Sequence, residues 1–228
     1  MIDMDTFLLI LYVMVDDFCK SHLPAERRPG LEASLTRSEV ITLVIFGEWY
    51  RFRGQRDFYR FANQKLRPAF PTLPARAQYN RLTRRYRDDI VAFFLYLVEL
   101  LEARQVPFEI SVGQPALGPY VVDTGFEGED NHQRWHLLYQ AETVCKPISN
   151  SKKAWPKAQR RWLHSIRQTV ETVYAKLTDF FRLDRERPHD IRGFQANLAA
   201  KMALHNFCIW LNKQLGRAPL AFADLLGW

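Results

Sequence analysis

Cysteine is scarce in this chain and poorly placed for chemistry. Cys19, Cys145 and Cys208 are the three in 228 residues, and no CxxC pair occurs. Three such widely spaced residues exclude a full disulfide framework and leave no zinc-binding spacing. Reduced thiols in a cytosolic protein account for them, so a cytoplasmic location (bacterial cytosol or nucleoid) is expected. Long apolar runs are missing too. FLLILYVMV (7–15) is nine residues long and is flanked by Asp3, Asp5, Asp16 and Asp17. It is too short to span a bilayer and lacks the basic start and cleavage site of a signal peptide. It reads as a core helix, with no membrane partner. Internal repeats and low-complexity segments are absent. Residues 103–118 contain no aspartate and a single acid, Glu109.

Basic charge is plentiful and uneven. The net charge is +7 and the pI about 9.4. Residues 1–102 carry 15 Lys and Arg against 13 Asp and Glu, whereas residues 151–193 carry 11 against 5. A concentrated basic surface suits a polyanion, and nucleic acid is the commonest one.

The chain divides by pattern into three parts. Residues 1–102 read as helical. The first helix is expected at 6–22, capped by Asp5 or Thr6. Thr36 and Glu39 have capping-box spacing with Leu35 and Val40 as a staple, opening a helix to about Tyr50. A third helix is expected from about Gln55 to Leu66, before a connector stiffened by Pro68, Pro71 and Pro74. ARAQYNRLTRR then places Arg76, Arg81, Arg84 and Arg85 on a short helix, like the second helix of a helix-turn-helix. Arginine suits bidentate contact with phosphate or guanine. An exposed basic turn is the plainer alternative. Asp88 and Asp89 open the next helix, which is apolar on most sides and expected to be deeply buried.

Residues 103–118 read as a junction. Residues 119–228 begin with a short strand, Tyr120–Val122, ending on Asp123. A turn with Gly125 and Gly128, a helix and a second strand at ETVCKP follow, a β-turn-α-β pattern that favours a parallel or mixed sheet. An acid at the carboxyl end of a strand sits where open sheets place ligands, although a turn residue is the simpler reading. His132 and His136 are four apart on a helix, with no third metal ligand in view.

From Ala154 to Phe181 a long helix is expected. Leu163, Ile166, Val170, Val173, Leu177 and Phe181 mark its apolar face. Lys157, Arg160, Arg161, His164 and Arg167 precede Glu171. Glu171 falls near the border of the apolar and basic faces, either projecting into a cleft or forming an i, i+4 surface pair with Arg167. A final helix carries His205 and Asn206 as satisfied core polars, and the tail APLAFADLLGW is apolar enough to dock. The expected fold is α+β and mostly helical.

At these residues the chain resembles insertion-sequence DDE transposases of the RNase H-like type. The resemblance rests on VVDTGFEG (121–128), KKAWPKAQRRWLHSIRQTVETVYAKL (152–177) and RGFQANLAAKMALHNFCIWLN (192–212). VDDFCK (15–20), LTRSEVITLVIF (35–46) and QYNRLTRR (78–85) are similar as well. It implies an N-terminal helical DNA-binding-like domain at 1–102 and a partial RNase H-like catalytic domain at 119–228. It implies Asp123 and Glu171 as catalytic, metal-binding carboxylates and Arg167 as a DNA-phosphate or site-organising residue. Magnesium or manganese would be the cofactor, and double-stranded DNA at transposon ends the partner, with a homodimer allowed. Arg76, Arg81, Arg84, Arg85, Lys157, Arg160, Arg161 and Arg167 are the expected DNA contacts.

The chain departs from that pattern. The family's first Asp, on an early strand, has no counterpart in 103–118. His164 stands where some relatives have Tyr, and Lys176 and Thr178 bracket the position of a family Lys. The chain is also shorter than such enzymes usually are. An internal deletion at 103–118 that removed the first carboxylate, and catalysis with it, is the expectation; a non-catalytic DNA-binding regulator is the alternative.

Overall fold

The structure, a computed structural model, describes residues 1–26, 34–49, 51–101, 119–122, 128–140, 142–145, 155–185 and 190–227. Among these the chain is mostly helical, with eight α-helices and four short strands. It forms two compact units. The first joins Met1–Leu101 to Lys176–Trp228, and the second is Glu102–Ala175.

In the first unit, α1 (Met4–His22) follows the two-residue strand β1 (Ile2–Asp3). Its cap is Asp3, two or three residues before the sequence expectation. The Asp3 carboxylate accepts from the Thr6 N–H at 2.8 Å and the Thr6 hydroxyl at 2.7 Å. Helix α2 (Arg37–Phe46) opens with the expected capping box: Thr36 Oγ1 accepts from the Glu39 N–H, and the Glu39 carboxylate accepts from the Thr36 N–H at 2.7 Å. Leu35 and Val40 are both buried beside it. The helix stops at Phe46, short of Tyr50, where Gly47 lets the Phe58 ring approach. A Cβ on Gly47 would meet that ring at 2.8 Å. Helix α3 (Gln55–Phe61) runs into one π-helical turn, Ala62–Leu66. Helices α4 (Arg76–Arg85) and α5 (Arg87–Leu100) follow.

The last helix, α8 (Ile191–Gln214), packs chiefly against α5 and belongs to this first unit. The sequence pattern instead groups it with residues from 119 onward. The physical reason is legible in α8 itself. Ala196, Ala199, Ala200 and Ala203 form a buried stripe of small side chains at helical spacing, which lets another helix approach closely. Aromatic contacts tie the same helix to the N-terminal ones. The Phe7 ring is edge-on to Phe207 at 5.3 Å and to Trp49 at 5.3 Å. Helix α5 is buried on one side only, through Ile90, Phe93, Phe94 and Leu97, while Leu95 and Leu100 face solvent. The expectation of deep burial on most sides therefore fails: its apolar residues outnumber the positions its neighbours cover.

The tail docks as expected. Strand β4 (Leu226–Gly227) pairs in parallel with β1, the Ile2 N–H donating to the Leu225 carbonyl at 2.9 Å. Phe222, Leu225 and Leu226 are buried. Asn212 of α8 donates to the Pro219 and Ala221 carbonyls, fixing the turn that leads there. His205 is buried, with Nδ1 3.1 Å from the Asn206 side-chain oxygen and the Phe222 ring edge-on at 5.4 Å. Its Nε2 has no hydrogen-bond partner among the described residues, so the expected satisfied histidine is satisfied at one nitrogen.

The second unit contains the β-α-β arrangement the sequence suggests. Strand β2 (Pro119–Val121) pairs in parallel with β3 (Glu142–Val144), and α6 (Glu129–Tyr139) lies between them in sequence. Gln140, in the left-handed region at φ 51°, ends α6 and turns the chain toward β3. Helix α7 (Lys157–Asp179) runs through this unit into the first. None of the three cysteines forms a disulfide. No helix among the described residues is long and apolar enough to cross a membrane.

Candidate nucleic-acid interface

Two basic surfaces emerge, one in each unit. The first is built on α4. At about 100° per residue, Arg81, Arg84 and Arg85 point away from Tyr79, Leu82, Thr83 and Tyr86. Those four are buried, and the three arginines are exposed. Arg76 is exposed at the start of the helix. The nine-residue connector 67–75 is longer than the 3–4-residue turn of a helix-turn-helix, so α4 presents its arginines outside that motif's usual geometry.

Packing of α4 and α5 against α8 adds Arg87 and Arg192. Arg81, Arg84, Arg85, Arg87, Asp88 and Arg192 line one open concavity of about 530 Å³. Several guanidinium groups there are already engaged. Arg84 Nη1 lies 3.1 Å from Asp190 Oδ2, and Arg85 Nη2 lies 3.7 Å from Glu26 Oε1. Arg87 donates to Asp88 and, at 2.9 Å, to the Gln195 side-chain oxygen. Arg81 donates to Gln78 at 3.3 Å. Arg192 makes no ion pair among the described residues.

The second surface is on α7. Lys157, Arg160, Arg161, His164, Arg167 and Glu171 fall in one arc of about 120° along the helix. Lys157, Arg160, Arg161 and His164 line a shallow surface depression of about 490 Å³. Glu171 does not project into a cleft. Its side chain is 69% exposed and lies 3.9 Å from Arg167 Nη2, the i, i+4 pair of the plainer reading. The apolar face of α7 is patchy: Leu163, Leu177 and Phe181 are buried, whereas Val170 is exposed.

Asp123 and residues 103–118 lie outside the described residues. Among the described residues, no three His, Cys, Asp or Glu side chains gather as a metal site. Glu171 offers one carboxylate, already facing a guanidinium, and magnesium prefers several oxygen ligands. The described residues thus do not form the implied metal site. His132 lies 3.5 Å from the Cys145 sulfur.

No family model, curated protein or solved structure matches this chain.

Sequence reasoning placed Arg81, Arg84 and Arg85 on one helix but did not include Arg192 or Asp190 among the contacts. Those two sit in a charged loop and helix start, more than 100 residues downstream, and only the packing of α4 against α8 brings them near.

Proposed function

We propose that this protein binds duplex DNA through its arginine surfaces, as a transposase-like protein acting at transposon ends without cutting them. The observation that carries the reading is the solvent face of α4, where Arg81, Arg84 and Arg85 share a concavity with Arg87 and Arg192. Guanidinium groups grip phosphate oxygens bidentately, and each neutralised phosphate releases condensed counterions. The basic stripe of α7 supplies a second phosphate-facing surface of the same chemistry. Catalysis is left out for a reason in the sequence: residues 103–118 hold no aspartate where the resemblance expects the first carboxylate. Competition with an intact transposase for its ends follows as a regulatory role.

Fluorescence anisotropy with a labelled duplex tests the binding half. Affinity should fall steeply as salt rises from about 50 to about 200 mM. Binding that ignores salt counts against the proposal. Incubating the protein with transposon-end DNA and magnesium tests the other half. No strand cleavage is expected, and robust cutting that depends on Asp123 would contradict it.

A further inference from the structure

Resting on that DNA-binding reading, we infer that the Asp190 carboxylate occupies a DNA-phosphate subsite on Arg84 and must give it up when duplex DNA binds. Asp190 is shared between two tasks. Its Oδ1 accepts from the Gly193 N–H at 2.7 Å, capping α8, and its Oδ2 lies 3.1 Å from Arg84 Nη1. Both side chains of the Arg84–Asp190 pair remain more than 40% exposed, so an incoming phosphate can reach the guanidinium. The Gly193 N–H and then Arg84 hold the Asp190 carboxyl below the usual carboxylate range, so it is charged near neutral pH.

The surroundings favour exchange over simple addition. The concavity is lined by five arginines and one acid, Asp88. Arg192 stands two residues into α8 from the cap and is exposed, with no ion pair among the described residues. A phosphate seated there meets Arg192 at once and gains Arg84 as Asp190 lets go. The α8 cap need not break, because its bond uses the other carboxylate oxygen. An exposed ion pair is weak, so phosphate contacts can displace it. Asp190 thereby acts as a built-in competitor that lowers affinity for weakly placed DNA.

Replacing Asp190 with Asn separates the two tasks, since Asn caps a helix about as well as Asp. D190N should bind a duplex several-fold more tightly than wild type at equal salt. Its plot of log affinity against log salt should be about one unit steeper. In an R84Q background most of that gain should vanish. D190S, which also keeps a cap, should behave as D190N does, and circular dichroism verifies that each variant is folded. Duplex affinity unchanged or weakened in folded D190N and D190S overturns the inference while leaving DNA binding intact. A gain undiminished by R84Q overturns it equally. Failure of the wild-type protein to bind duplex DNA removes the DNA-binding reading itself, and this inference with it.

Discussion

The Lys201 ammonium, buried on α8, donates both to the Glu48 carboxylate and to the Phe181 carbonyl. Glu48 lies in the turn after α2, and Phe181 lies just beyond α7. One cation therefore joins α8 to the end of α7 and to a turn 153 residues earlier. Replacing Lys201 with Met takes the buried ammonium away from the Glu48 carboxylate, whose side chain is 11% exposed. A loss of about 3–5 kcal/mol in urea unfolding is expected, and adding E48Q to K201M should recover part of it.

The capping box at α2 gives a smaller, separable effect. T36A removes the acceptor for the Glu39 N–H and should cost about 1 kcal/mol, whereas T36S should cost little. Denaturant midpoints of the two variants check this.

His205 sets a pH dependence. Burial pushes its pKa below the ordinary histidine value, with the Asn206 contact opposing. The unfolded chain therefore takes up a proton below about pH 6.5 that the folded chain resists. The His205 contribution is fully present above that pH and is lost as pH falls toward the folded pKa. Unfolding free energy measured from pH 7.5 to pH 5 should decline, and H205N should flatten the decline.

Glu171 is paired on the surface, so E171Q should change stability by less than about 0.5 kcal/mol. A loss well above 1 kcal/mol in thermal or urea unfolding would place this carboxylate in more than a surface pair.

Local signals carried much of the fold. The Thr36–Glu39 box, the arginine helix α4, the β2-α6-β3 order and the docked tail are each written in a few adjacent residues. What failed was long-range or competitive. The alanine stripe of α8 is visible in the sequence, but that the helix packs chiefly against α5, far earlier in the chain, is stated by no local pattern. Helix α2 ends early, at Phe46, and the glycine that follows it gives the Phe58 ring room, a tertiary contact. At the candidate site, α4's exposed arginines were legible from helical periodicity. The contribution of Asp190 and Arg192 was not, because it arises from packing α4 against α8. In sequence Glu171 falls near the border of two faces, where periodicity alone does not decide between cleft and solvent; on α7 it lies within the basic arc, in solvent.

The central claim is that the α4 arginines hold duplex phosphates. Its most direct test is the salt dependence of duplex binding for wild type against the R81A/R84A/R85A variant, with circular dichroism to verify the fold. The account predicts at least about tenfold weaker binding and a salt slope shallower by about two to three units. Equal affinity and an unchanged slope in the folded triple variant would contradict it.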